Sequence, residues 1–264
     1  MKTTRLLLYV TIGILLALII ISAAWAEKPV NETRPASPDG VVEIESLAGS
    51  ITIVGWDRNE VEVTGDLGGA KQKLEIEGEG NQITIEVVLP QGRHQNIEGA
   101  ELQIKVPRGS RVEVESVSAD IEASGVSGRL NLETVSGNVT VTGEPEELEL
   151  SSVSGNIRFE GGGTLKEGSF KTVSGNVVAS TDFDSRGSFS FESISGNVEL
   201  RVPAGVNARF EASTFSGSIR NEIGPDPERS NSILPSQELE FTLGSGGARI
   251  SLQAFSGNVK ILSQ

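Results

Sequence analysis

Apolar and polar residues alternate along most of the chain. Around one turn, Leu130 and Leu132 precede it and Val139 and Val141 follow it, with polar residues between them. A period of two is typical of a β-strand with one buried face. Helical spacing is absent, and a glycine every few residues would oppose a helix. The pattern therefore predicts an all-β chain.

One unit recurs: alternating apolar residues, Ser or Thr, an apolar residue, Ser-Gly-Asn, and alternating apolar residues again. In chain order, repeats 1 to 8 cover residues 42–53, 112–123, 130–141, 148–159, 170–179, 189–200, 210–220 and 250–261. From repeat 2 onward the residue before the turn recurs at intervals of 18, 18, 20, 21, 21 and 40. The last interval equals two periods, so it predicts a hidden repeat within 221–241. This period fits one coil of a parallel β-solenoid or β-helix, with right-handed winding favoured.

The Ser-Gly-Asn turn is expected to lie at one shared corner of the coils. Glycine would permit the positive φ of a sharp corner, and stacked Asn side chains could bond to one another along the axis. We interpret this turn ladder as structural, not as a functional site. Its members are Gly137, Asn138, Gly155, Asn156, Gly175, Asn176, Gly196, Asn197, Gly217, Ser218, Gly257 and Asn258, with Asp120 in the matching place of repeat 2.

The amino terminus has the features of an export signal. Lys2 and Arg5 precede an uncharged run over 6–26 that ends in Ala24-Trp25-Ala26. This predicts a signal peptide over 1–26. The run is 21 residues long, so an uncleaved membrane anchor is the alternative. Both interpretations place the remainder outside the cytoplasm, in the periplasm or at the cell surface.

Three further regions follow the signal. Residues 27–40 contain three prolines and are expected to be a linker. Residues 41–111 have longer, less regular segments and are expected to be an amino-terminal β cap. Residues 112–264 carry the solenoid repeats.

The repeats resemble a known family. The segment LQIKVPRGSRVEVESVSADIEAS (102–124), followed by serial VSGN turns, resembles the bacterial DUF4097 family of β-strand-repeat proteins, which carry an adhesin label. The resemblance implies a β-solenoid-like fold and export or membrane attachment. It implies no defined activity and no functional residues. The chain departs from the pattern at Ala119-Asp120, at Gly217-Ser218 and in a proline-containing insertion.

Composition narrows the chemistry. The net charge is −14, which disfavours nucleic acid and anionic lipid as partners. The chain has no Cys and one His, His94, so we expect no metal site, no cofactor and no catalytic residues. Outward glutamates such as Glu113 and Glu115 are expected to be a solvated face, with weak divalent-cation binding as the competing interpretation. Trp56 is expected to pack at a strand end, with sugar stacking as the alternative.

These observations predict an exported, non-enzymatic envelope or surface protein with an adhesin-like binding or structural role. Its partner would be an envelope protein or a polysaccharide, and its oligomeric state is left open. One alternative is a membrane-proximal component of envelope-stress regulation, which depends on the anchor-length apolar run. Another is a polysaccharide-active enzyme on a β-helix, which would need convergent carboxylates in one groove.

Intact-mass analysis of the exported protein tests the export signal. We expect a mature chain that begins at Glu27, because Ala24-Trp25-Ala26 has the small-residue spacing of a cleavage site. A membrane-bound chain that retains residues 1–26 would instead show the anchor.

Overall fold

The structure is a computed structural model that describes residues 29–69, 72–89, 99–229 and 236–264. Strands, turns and irregular segments make up these residues, and no helix occurs among them, which confirms the all-β prediction. The expected signal or anchor segment and His94 lie outside the described residues. Within the described part, no helix is long and apolar enough to cross a membrane.

The strands belong to one continuous hydrogen-bonded system. The first half contains β1 (Pro29–Trp56), β2 (Glu60–Asp66), β3 (Lys73–Val88), β4 (Ala100–Pro107), β5 (Arg111–Ser124), β6 (Arg129–Thr134), β7 (Val139–Gly143) and β8 (Glu147–Ser152). The second half contains β9 (Ile157–Ser174), β10 (Val177–Ser195), β11 (Val198–Val202), β12 (Ala208–Ser216), β13 (Ile219–Asn221), β14 (Glu228–Arg229), β15 (Gln237–Leu243), β16 (Ala248–Ser256) and β17 (Val259–Ser263).

Successive repeats stack as two parallel ladders, one before the Ser-Gly-Asn turn and one after it. Before the turn, Leu132 of β6 pairs with Val114 of β5 and with Leu150 of β8. After the turn, Val139 of β7 pairs with Ile121 of β5 and with Ile157 of β9. Equivalent residues therefore lie directly above one another, about 4.8 Å apart.

The inward rows of these ladders form the core. Leu132, Val139 and Val141 are at most 1% exposed, and the aromatic residues of later repeats continue the rows. The rings of Phe170 and Phe191 stack with centroids 4.7 Å apart. Burying one such side chain contributes about 1.5–3 kcal/mol, so the stacking of repeats supplies the main driving force for the fold.

A row of buried hydroxyls joins neighbouring coils beside this core. In repeats 3 to 7 the Ser or Thr before the turn donates to a turn carbonyl of the neighbouring repeat. Among the described residues, Ser116 Oγ of repeat 2 has no hydrogen-bond partner, and repeat 8 has Ala254 at this position. Ser152 Oγ donates to Gly137 O at 3.0 Å, and Thr172 Oγ1 donates to Gly155 O at 3.0 Å. Each of these bonds satisfies a buried hydroxyl and a turn carbonyl together, and leaving either group buried without a partner would cost about 1–3 kcal/mol.

The turn asparagines form a directional ladder. Asn156 Nδ2 donates to Asn138 Oδ1 at 3.1 Å, while Asn156 Oδ1 accepts from Asn176 Nδ2 at 3.0 Å. The same oxygen also accepts from the Asn176 backbone N–H at 3.0 Å. Each amide therefore donates to one neighbour and accepts from the other.

The two departures from Ser-Gly-Asn are the ends of this ladder. Asp120 stands at the accepting end, and its Oδ1 takes bonds from Asn138 N and Nδ2 at 2.7 and 3.1 Å. Ser218 stands at the donating end, and its Oγ and N bond to Asn258 Oδ1 at 2.7 and 3.0 Å. A carboxylate can only accept and a hydroxyl can donate, so each residue suits its end.

The turn glycines are needed for a different reason from the one expected. Among the six turn glycines only Gly196, with φ +157°, departs from ordinary backbone angles. Space is the common constraint. A Cβ on Gly175 would lie 2.0 Å from Gly155 O, and one on Gly155 would lie 1.8 Å from Gly137 O. The positive-φ explanation is therefore wrong for most turns, and close approach of the next coil replaces it.

The stacking order differs from chain order at the carboxyl end. Repeat 8 inserts between repeats 6 and 7, because Ile250 pairs with Phe189 on one side and with Phe210 on the other. The predicted hidden repeat within 221–241 is wrong. Instead, β15 runs antiparallel to β12 over Gln237–Leu243 and covers the outer edge of repeat 7. The long interval therefore provides an end strand, not a coil.

At the amino-terminal end, too, the order in which the strands stack differs from their order in the chain. Repeat 1 pairs in register with repeat 2, for example Ile44 with Val114, so residues 42–53 join the same two parallel ladders as the later repeats. The next segments, β3 and β4, pair with the other edge of repeat 1. Residues 29–35, expected to be linker, instead pair antiparallel with β2, which corrects that prediction. Proline is tolerated here because the segment lies at a sheet edge.

The close approach at the turns predicts that Gly175→Ala destabilises the protein. A methyl group 2.0 Å from the Gly155 carbonyl oxygen must push two coils apart, which we expect to cost about 1–3 kcal/mol. Gly69→Ala is the control, since its nearest neighbour is a Gln72 side-chain atom at 3.2 Å. Urea unfolding measures both free energies, and equal stability of Gly175→Ala and wild type would contradict the packing argument.

The directional ladder predicts an asymmetry between its middle and its end. Asn156→Asp removes the donor to Asn138 Oδ1 and sets two acceptors against each other, at an expected cost of about 1–2 kcal/mol. Asp120→Asn keeps the acceptor used by Asn138 and should change the free energy of unfolding by less than about 0.5 kcal/mol. The same urea experiment compares them, and a larger loss in Asp120→Asn would refute the assigned direction.

Candidate binding surface

A column of exposed apolar side chains runs along the corner beside the turn. Each member follows the last inward residue before its turn, which is Ser or Thr in six repeats and Ala254 in repeat 8, so alternation points it outward. The members are 39–57% exposed. In stacking order, this apolar column comprises Val117, Val135, Val153, Val173, Ile194, Phe255 and Phe215.

Backbone hydrogen bonds hold the column in register. Ser136 N donates to Val117 O at 2.8 Å, and Ser154 N donates to Val135 O at 2.8 Å. At the far end the rings of Phe215 and Phe255 stack with centroids 4.9 Å apart and planes 4° apart. Contact between neighbours explains part of the column's role, but the outer side of every member still faces solvent. Contiguous apolar surface of this kind marks interaction sites.

Four glutamates form a second column next to the amino-terminal half of the first. Glu45 pairs with Glu86 on one side and with Glu115 on the other, and Glu115 pairs with Glu133. We call Glu86, Glu45, Glu115 and Glu133 the glutamate column. Neighbouring members lie on adjacent strands about 4.8 Å apart. Like charges placed directly opposite each other are destabilising, so this arrangement costs stability.

The two columns border a groove with a cavity volume of about 710 Å³. Val117, Val135 and Val153 supply apolar surface on one side. Leu47 and the Val87–Leu89 segment supply more of it at the amino-terminal end. All four members of the glutamate column also line the groove. The site therefore combines an apolar surface with concentrated negative charge.

A polar trough of about 520 Å³ lies on the other side of the turn. Asp120, Asn138, Asn156 and Asn176 line it together with Thr140 and Arg158. The amide groups of these asparagines already bond to one another, as described above. Their remaining capacity to bind a ligand is therefore smaller than their number implies.

Trp56 occupies a strand end, between β1 and β2. Its Nε1 donates to Glu60 O at 2.8 Å. Arg58 Cζ and Lys105 Nζ lie 4.9 and 5.3 Å from the ring centroid. These contacts engage the ring within the protein, which favours the packing role over sugar stacking.

The structure distributes the outward carboxylates along the coils. Some form surface ion pairs, such as Lys105 with Glu62 at 2.7 Å and Arg111 with Glu113 at 2.6 Å. Among the described residues, no three His, Cys, Asp or Glu side chains gather in a way that could hold a metal ion.

The sequence interpretation did not identify the apolar column. A signal for it was present in the sequence. Val135 lies two residues after the outward Glu133 and one residue after the buried Thr134, so alternation places it on the outer face. Three of the groove's glutamates had a signal too, because Glu45, Glu115 and Glu133 occupy the same position in repeats 1, 2 and 3. Glu86 had none, since only the displaced strand β3 brings it next to Glu45.

Comparison with known proteins identifies the relatives of this arrangement. The model of the family described as Toastrack DUF4097 matches residues 41–164 and, in a second overlapping match, residues 112–262. No curated protein matches the chain.

Two solved structures illustrate the structural similarity. One is a candidate cell adhesion protein from Clostridium sporogenes, at 12% identity and a TM-score of 0.40, covering 90% of this chain and 100% of the other. The other is a candidate adhesin from Bacteroides fragilis, at 12% identity and a TM-score of 0.44, covering 90% of this chain and 98% of the other.

Proposed function

Since the chain belongs to the Toastrack DUF4097 family, we propose that it is an exported, non-enzymatic envelope or surface protein with an adhesin-like binding role. The apolar column carries the proposal. Seven large apolar side chains lie in one file on the outside of the protein. Keeping such residues in water has a cost that a binding role explains.

The winding of the chain fits this role. We assign it as a β-solenoid with right-handed coils, because parallel strand connections are right-handed in nearly all known sheets. A solenoid presents the same outward position once per coil. Seven members at about 4.8 Å spacing give a linear surface roughly 30 Å long, which suits an extended partner.

A binding role is also favoured over catalysis by the distribution of carboxylates. The outward glutamates are placed by coil stacking into columns, as Glu45, Glu115 and Glu133 are. A glycoside hydrolase instead needs two carboxyls that face one bond from opposite sides. Export is supported by Lys2, Arg5 and the uncharged segment 6–26. We propose the periplasm or the cell surface as its location, with an envelope protein as its partner.

Retention of the exported protein on immobilised envelope proteins tests this proposal. We expect Val173→Ser/Ile194→Ser to lower retention about tenfold, because about 1.4 kcal/mol of contact energy is lost. Both side chains are 43% or more exposed, so folding should be preserved.

The matched control is Thr140→Ser/Val178→Ser, which trims two side chains on the opposite side of the turn. It should bind like wild type. Equal retention of all three proteins, or retention no greater than on a surface coated with an unrelated protein, would count against the apolar column as the binding surface. Hydrolysis of envelope polysaccharide by the purified protein would contradict the non-enzymatic role.

A further inference from the structure

The groove at the amino-terminal end differs from the rest of the apolar column in its charge. Next to Val117 and Val135 the outward neighbours are Glu115 and Glu133. Farther along, the same outward position is occupied by Ser151, Lys171, Glu192 and Gln253. A continuous run of negative charge is therefore confined to the groove.

These charges are not neutralised within the part of the chain that the structure describes. Other outward glutamates have partners there, as Glu113 has Arg111 and Glu147 has Arg129. No member of the glutamate column forms an ion pair with a described residue. Four stacked carboxylates without counter-charges repel one another, so a cationic partner would relieve an existing cost.

On this basis, and resting on the proposed binding function, we propose that the groove binds a basic amphipathic helix of another protein. The glutamate column would pair with a row of Lys or Arg, while Val117, Val135 and Leu47 receive the adjacent apolar row. A second copy of the chain is disfavoured because its net charge is −14.

Spacing favours a helix that lies along the stacking axis. The four glutamates span three strand intervals, or about 14 Å. Side chains at i, i+3 or i+4 and i+7 of a helix follow one another at about 5–6 Å along one face. This nearly matches the coil spacing of about 4.8 Å. Along the chain, Val135 lies two residues after Glu133, a distance of about 7 Å in extended backbone, which places the apolar row beside the charged one.

Fluorescence anisotropy with a labelled synthetic helix of Leu and Lys tests the proposal on the exported protein. We expect saturable binding that weakens as salt increases. Glu45→Gln/Glu115→Gln/Glu133→Gln should raise Kd at least about tenfold. Val117→Ser/Val135→Ser should also raise Kd while leaving the salt dependence nearly unchanged.

The control is Glu122→Gln/Glu211→Gln/Glu238→Gln, which changes net charge equally at exposed positions outside the groove. Its Kd should stay within about twofold of wild type. Thermal melting checks folding, and the groove triple should melt at the same temperature as wild type or higher, since it removes repulsion.

Four outcomes would overturn the inference. The first is an equal loss of affinity in both triple variants, which would indicate diffuse attraction, and the second is the absence of saturable binding. The third is displacement of the helix by a peptide of residues 90–98, which would assign the groove to this chain. The fourth is saturable binding of an envelope glycan with the same dependence on the groove variants. Retention on envelope proteins through Val173 and Ile194 would still stand in each case, so the two proposals fail separately.

Discussion

The rest of the structure depends on the parallel, in-register stacking of successive repeats at about 4.8 Å. Gly155 and Gly175 show how strict this constraint is, because a Cβ on either would lie within 2.0 Å of a carbonyl oxygen of the neighbouring coil. When the turns are in such close contact, the residues at each remaining position of the repeat line up in a column. The buried hydroxyls, the asparagine ladder and the apolar column are therefore consequences of one packing distance.

Much of this fold could be predicted from local sequence. Alternation around Leu132 and Val139 predicts the strands, and the recurrent turn predicts that Asn138 and Asn156 lie in one file, where the structure places them. Stacking order could not be predicted in the same way. Ile250 of repeat 8 lies between Phe189 of repeat 6 and Phe210 of repeat 7. The apolar side chain of Phe189 would fit against Ile250 or against Phe210. Inward rows of similar apolar residues fix the register but do not specify which coil is the neighbour.

The ends of the molecule explain why chain order is broken there. A stack of parallel coils leaves an open edge at each end, which would pair with other chains. At one end β15 runs antiparallel along β12, and at the other β2 runs antiparallel along β4. An antiparallel strand cannot pass the same alignment on to another coil, so it stops the repeat. The broken order also shapes the candidate groove, because the displaced β3 pairs parallel with β1 and brings Glu86 next to Glu45.

Inward and outward positions consequently have different freedom. Thr134 and Leu132 contact two coils each, and any change there must suit both neighbours. Glu133 near the end of β6 and Val135 just after it face solvent, so they can vary from repeat to repeat at little cost to folding. The chain uses this freedom unevenly, with Glu115 and Glu133 at one end and Phe255 and Phe215 at the other. A uniform scaffold thus carries a surface whose chemistry changes along its length.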